Sequence, residues 1–199
     1  AGCDTHPRVR PAQLEAEAVH RLLVTARTAG TPIIVVHLTC EEAYREIEQA
    51  RAGGQEVYAE TCPQYLLMDD SLYVQGGAEA AKYVISPPLR KKKDQECLWK
   101  ALKEDRIQTV STDHCSFTTG QKAMGKEDFT KIPNGMPGVE TRGTLLYTYG
   151  VREGRISPEQ MCRVLSENPA KLYGMYPQKD ASPREAQRIW SYWTRKRKL

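Results

Sequence analysis

Two residues of this chain combine reactive chemistry with a telling position. His37 closes the apolar run Ile33-Ile34-Val35-Val36, and Asp113 closes the run Ile107-Gln108-Thr109-Val110-Ser111-Thr112. An imidazole and a carboxylate are ordinary ligands of Zn²⁺, and a carboxylate also accepts a proton from water activated by such an ion. A short β-branched run ending in a potential ligand is how a parallel barrel presents reactive groups, because the C-terminal strand ends form its active face. On spacing alone each residue also fits a quieter role. A lone histidine after an apolar strand is more often structural than a ligand, and Asp113 reads first as the cap of the next turn or helix.

The elements that must position the pair follow from periodicity and caps. Pro11 to Ala29 reads as a helix, with proline in the first turn, Glu15 and Glu17 near the positive end of the dipole and Gly30 as a left-handed stop. Leu14, Ala18 and Leu22 line one face of it, with Val19, Leu23 and Ala26 beside them. A helix over about Glu41 to Ala52 is ended by Gly53-Gly54, and Gln55 to Glu60 is the next strand. Another helix, from about Asp94 to Lys103 with Leu98, Ala101 and Leu102 inward, leads into the strand that ends at Asp113. Ser157-Pro-Glu-Gln160 is a capping box with proline at the first helical position, and Asn168-Pro169 opens a shorter helix that Gly174 closes. Helices alternating with strands through short Gly-containing connections predict a parallel α/β sheet or barrel. The stretches 61–89 and 114–137 read as long irregular loops bordering a site.

Composition limits the function classes. With 199 residues the chain is short for a complete (β/α)8 barrel, which takes about 250, and it begins with Ala; both facts suit a fragment. No apolar stretch approaches the roughly 20 residues of a membrane span. Cys3, Cys40, Cys62, Cys97, Cys115 and Cys162 show no paired spacing, which predicts a reduced, cytoplasmic protein without a disulfide scaffold or a cysteine zinc site. The net charge of +4 is a local matter: residues 181–199 hold six Lys/Arg against one Glu, and the other 180 residues sum to −1. Neither nucleic acid nor a membrane surface is an expected partner.

Around the pair lie Glu60-Thr-Cys-Pro-Gln-Tyr65, Ser86-Pro-Pro-Leu-Arg90 and Lys131-Ile-Pro-Asn-Gly135. With His37 and Asp113 these motifs resemble the dihydropyrimidinase/D-hydantoinase family of cyclic amidohydrolases, from about Ala1 to Lys179. The resemblance implies an α/β fold: the second half of a TIM-like (β/α)8 metallohydrolase barrel, with a small β-sandwich domain missing. It implies ring opening of 5,6-dihydropyrimidines or hydantoins to N-carbamoyl amino acids by a hydroxide bound between two zinc ions. Family barrels hold those ions through an HxH pair, a carboxylated lysine, two further histidines and an aspartate. His37 matches the sixth-strand histidine and Asp113 the eighth-strand aspartate, which is also the proton acceptor; the carboxylated lysine and three histidines would lie upstream. The small cyclic amide would be bound through backbone groups at Ser86 and through Asn134. Without the resemblance, those two positions read as a proline-stiffened turn and an Asn-Gly turn.

The resemblance makes His114 an outer-shell residue at most, and places Glu60 and Gln64 at the seventh-strand end. Cys62 reads as packing rather than nucleophile. His6 reads as part of a surface loop, and Lys91-Lys92-Lys93 as a solvated face. The whole parent is expected to be a homotetramer, and this segment alone to be inactive. Two alternatives share the motifs: a non-enzymatic, dihydropyrimidinase-like cytoskeletal or signalling protein, and a hydrolase of the allantoinase or dihydroorotase type.

After Lys179 the resemblance stops. Residues 180–199 form an aberrant tail without strand alternation, holding Trp190 and Trp193 beside Arg195-Lys-Arg-Lys198. Back-translation with permitted codons, read in a shifted frame, yields Gly-Arg-Ile-Ala-Pro-Gly-Ser-Ala followed by Ala-Asp-Leu-Val-Leu-Leu-Asp-Pro, the kind of segment that continues the family. A frameshift near Lys179 is therefore expected, with residues 181–199 poorly packed; a genuine basic tail is the competing reading.

Overall fold

The computed structural model describes residues 2–125 and 128–177. The tail expectation falls on residues outside the described ones.

Three short parallel strands form the centre: β1 (Ile33–Val35), β2 (Val57–Thr61) and β3 (Thr109–Val110), in the order β1-β2-β3. Ile33 pairs with Val57 and Val35 with Ala59, while Glu60 pairs with Thr109 and Thr61 with Val110. Each crossover carries a helix on the outside. Between β1 and β2 runs α3 (Glu41–Ala52), and between β2 and β3 runs α6 (Lys92–Lys103); α2 (Ala12–Ala29) precedes β1 and packs on α3. Helix-covered parallel strands in sequential order are the expected α/β arrangement.

The local signals explain the boundaries. Gly30 stops α2 with φ 64°. Asp94 caps two helices at once: one carboxylate oxygen accepts from the Glu41 N–H that opens α3, and the other from the Lys91 N–H that opens α6, both at 3.0 Å. The Ser157 capping box forms as predicted and opens α9 (Pro158–Cys162). All six cysteines are free, and Lys91, Lys92 and Lys93 are exposed.

Several expectations are corrected. The stretch 61–89 is largely helical, with α4 (Pro63–Leu67), a 3-10 segment Asp70–Gln75 and α5 (Gly77–Ala81). The 114–137 stretch contains α7 (Thr119–Ala123). On α2 the buried stripe is Val19, Leu23 and Ala26, while Leu14 and Leu22 are exposed, so the core takes the neighbouring arc of the apolar face. His6 is not in a surface loop. It lies in α1 (Thr5–Val9), is 1% exposed, and meets the rings of Tyr73 and Phe129 edge-on. A further helix, α8 (Arg142–Leu145), runs on as π-helix over Leu146–Val151 and was invisible to the pattern. Gly150 allows its close approach to Trp99, since a Cβ there would stand 3.2 Å from the indole.

Candidate functional site

The C-terminal ends of the three strands carry three of the predicted residues. His37 follows β1 by two residues, Glu60 is the penultimate residue of β2, and Asp113 follows β3 by three. His37 is half-buried and Asp113 exposed. Both have left-handed backbone, φ 42° and 45°. Neither side chain makes a hydrogen bond or ion pair with any described residue, so no described group claims their lone pairs.

The strand ends are laced together around them. The Leu38 N–H donates to Glu60 O at 2.8 Å, and the Thr61 hydroxyl returns a bond to Leu38 O at 2.8 Å, fixing the chain just past His37. Ser111 N–H donates to Thr61 O at 3.0 Å, and buried Gln64 donates Nε2–H to Thr112 O at 3.0 Å, fixing the chain just before Asp113. Glu60 accepts from the Thr109 hydroxyl at 2.9 Å. Glu60 and Gln64 are therefore the scaffold of the strand ends. Cys62 is fully buried, and burial pushes its thiol up to about 12, which suits packing and not nucleophilic attack.

His114 also acts structurally. Its Nδ1 accepts from the Gly138 and Val139 N–H groups at 3.1 and 3.3 Å, which leaves the proton on Nε2 and pins the loop after Asp113.

The Ser86 segment is gripped on both flanks and free at its centre. His6 donates to Ile85 O at 2.7 Å, Tyr65 to Pro87 O at 3.1 Å, and the Tyr73 hydroxyl accepts from Leu89 N–H at 3.0 Å. Buried Arg90 ends the segment, bonded to Glu15, Thr39 Oγ1 and Arg10 O at 2.9, 3.0 and 2.6 Å. Ser86 itself is exposed and makes no hydrogen bond among the described residues. Asn134 donates Nδ2–H to Ile132 O at 3.2 Å, while its Oδ1 is buried with no partner. An unclaimed backbone at Ser86 and an orphaned acceptor at Asn134 are groups that a polar ligand could satisfy.

Sequence reasoning missed the residues that do the gripping. Tyr65, Tyr73 and Arg90 act across long sequence separations, and no local pattern announces such contacts. His6, which the sequence places in a surface loop, is instead buried in α1.

Comparison with known proteins gives a consistent likeness. No family model matches the chain. It is 47% identical over 175 residues to the D-hydantoinase of Geobacillus stearothermophilus, covering 87% of this chain and 37% of that protein. Its fold superposes on the D-hydantoinase (dihydropyrimidinase) of a Thermus species with TM-score 0.88 at 44% identity, covering 89% of this chain and 39% of the other. The dihydropyrimidinase of Brevibacillus agri gives TM-score 0.87 at 47% identity, covering 90% and 39%. The chain thus spans less than half the length of the relatives it matches. Among the described residues no helix is long and apolar enough to cross a membrane.

Proposed function

We propose that this chain, which belongs to the D-hydantoinase/dihydropyrimidinase family, supplies the His37 and Asp113 side of a cyclic-amide hydrolase site. The observation that carries this reading is the shared state of the two residues: each sits just past a parallel strand, in left-handed backbone, with its side chain unclaimed.

The donor chemistry of the pair, one imidazole nitrogen and one carboxylate, fits a divalent ion such as Zn²⁺. Among the described residues no group of three or more His, Cys, Asp or Glu is placed to hold a metal ion. In this reading the remaining ligands come from a segment upstream of these residues, and the chain alone is inactive. A divalent ion held there would polarise a ring carbonyl and make water nucleophilic near neutral pH. Asp113 takes the proton of the attacking water on its carboxylate and returns it to the departing ring nitrogen as the C–N bond breaks. Ser86, through its backbone, and Asn134 Oδ1 bind the amide edge of the ring, and Gln64 and Glu60 hold the strand ends in register. In this reading residues 1–179 are the C-terminal part of the barrel, and residues 180–199 are an out-of-frame tail.

A non-catalytic relative would have no use for strained, unclaimed ligand residues at two strand ends. The test has two arms. Zn²⁺ and the purified chain should give no enzyme-like ring opening of dihydrouracil or hydantoin. In the enzyme completed by its upstream coding sequence, Asp113→Asn should cut turnover by about 10³-fold, and His37→Ala should lower metal content as well as turnover. Near-normal activity in either variant would refute the residue assignment.

A further inference from the structure

We propose that Lys122 is a positioning residue that holds the Ser86 segment and the Asn134 segment in one fixed relation, so that a single amide meets both. The substrate clause rests on the hydrolase reading above; the clamp itself does not.

Lys122 lies on α7 and is only 4% exposed. Its Nζ donates to Val84 O at 2.7 Å and to Pro133 O at 2.8 Å. Val84 stands two residues before Ser86, and Pro133 one residue before Asn134. The ammonium also sits 5.5 Å from the centre of the Phe117 ring. Among the described residues no carboxylate pairs with it. Two carbonyls and an aromatic face thus surround a buried charge that no described carboxylate balances, an arrangement costly enough to need a reason.

The reason lies in what converges there. Val84 O also accepts the Gly135 N–H at 3.2 Å. Gly135 has φ 152°, and a Cβ on it would stand 2.4 Å from Cys115 O, so this close approach requires glycine. The segments around Val84, Cys115–Phe117 and Pro133–Gly135 meet at one ammonium. An apolar side chain could fill the space but could not tie two carbonyls together. The planar fork of arginine fixes its donors in one plane, whereas an ammonium directs three donors tetrahedrally and can meet two carbonyls and a ring face at one nitrogen. The titratable groups facing Lys122 are Cys3 and His6 from the N-terminal segment and Cys115 from the loop after Asp113. Burial holds its amine down at about 8.

Hydrogen exchange on the 199-residue chain tests the clamp. In Lys122→Met the Gly135 amide should exchange about tenfold faster, while amides of Val57–Thr61 keep their native rates. A uniform change, or none, would overturn the clamp. If that variant does not fold, the native chain still decides the matter by NMR with labelled lysine. One lysine should titrate near pH 8, and the amides of Ile85 and Asn134 should shift with the same midpoint; the absence of that shared midpoint overturns the clamp. In the completed enzyme, Lys122→Met should raise KM for hydantoin about tenfold with a smaller fall in kcat and unchanged metal content. An unchanged KM beside a localised exchange effect would overturn the substrate clause alone. Failure of the unsubstituted completed enzyme to open any cyclic amide would overturn the hydrolase reading, and the exchange result would stand.

Discussion

His37 and Asp113 close two strands that do not pair with each other, β1 and β3, yet both have the left-handed backbone that disfavours side chains, at φ 42° and 45°. Among the described residues the other non-glycine in this region is Asp105, which follows α6 and pairs with Arg163. Positive φ alone therefore does not mark a site. What separates His37 and Asp113 is strain combined with side chains that nothing in the described structure uses. Strain of this kind costs about 1–2 kcal/mol per residue and persists where the surroundings enforce it.

The strain predicts an asymmetric response to substitution. His37→Gly should leave the chain as stable as before or up to about 1 kcal/mol more stable, since relief of strain outweighs or offsets the entropy of glycine. His37→Val should cost about 1–2 kcal/mol because a β-branched residue tolerates left-handed backbone poorly. Urea unfolding of the two variants decides it; a valine variant as stable as the glycine variant would remove the strain argument.

That pairing also shows what the sequence makes legible. Apolar runs ending at His37 and Asp113 were enough to place both at strand ends, because strand and ligand are adjacent in the chain. Helix stops at Gly30 and the cap at Ser157 were readable for the same reason. Lys122, Tyr65 and Tyr73 were not, since each reaches a carbonyl or amide 11 to 38 residues away. Leu14 and Leu22 misled because an apolar arc wider than its contact exposes one edge, and periodicity does not say which. The helix from Arg142 was hidden by Gly143, Thr148 and Gly150, residues of low helix propensity that tertiary packing overrides.

His6 predicts a pH dependence. Burial is the main cause that lowers its pKa below the ordinary value of 6.5. The unfolded chain therefore takes up a proton near 6.5, while the folded chain resists until lower pH. In that window the unfolded state binds more protons, so stability is fully present above 6.5 and is lost as pH falls through the folded value. His6→Gln keeps a donor for Ile85 O and cannot titrate, so the urea midpoint should lose this acid step. An identical pH profile for both proteins would show that His6 does not carry it.

The Glu15–Arg90 pair should behave as a buried unit, with side chains 10% and 7% exposed. Thr39 belongs to the same network: its N–H donates to Glu15 at 2.9 Å, its hydroxyl also bonds Glu15, and it accepts from Arg90. The pair therefore ties α2 to both the turn after His37 and the end of the Ser86 segment. Glu15→Leu or Arg90→Met alone should cost about 3–5 kcal/mol by leaving one charge buried, whereas the double variant should recover much of that loss. A double-mutant cycle by urea unfolding measures this directly; additive losses would show that the two residues do not act together.

The last prediction concerns the coding sequence after Lys179. Residues 180–199 place Trp190 and Trp193 next to Arg195-Lys-Arg-Lys198, with neither helical nor strand periodicity to give an apolar face. A shifted frame built from permitted codons instead gives Gly-Arg-Ile-Ala-Pro-Gly-Ser-Ala-Ala-Asp-Leu-Val-Leu-Leu-Asp-Pro. That peptide has the physical logic the tail lacks: a Pro-Gly turn releases the chain, and an apolar run follows that a sheet could bury. Basic residues clustered in the observed frame also account for the whole positive charge of a chain otherwise at −1. Resequencing the locus should therefore recover a base missing near the Lys179 codon, restoring the glycine-led frame. A confirmed in-frame codon string from Asp180 to Leu199 would refute the shift and make the basic tail a genuine terminus.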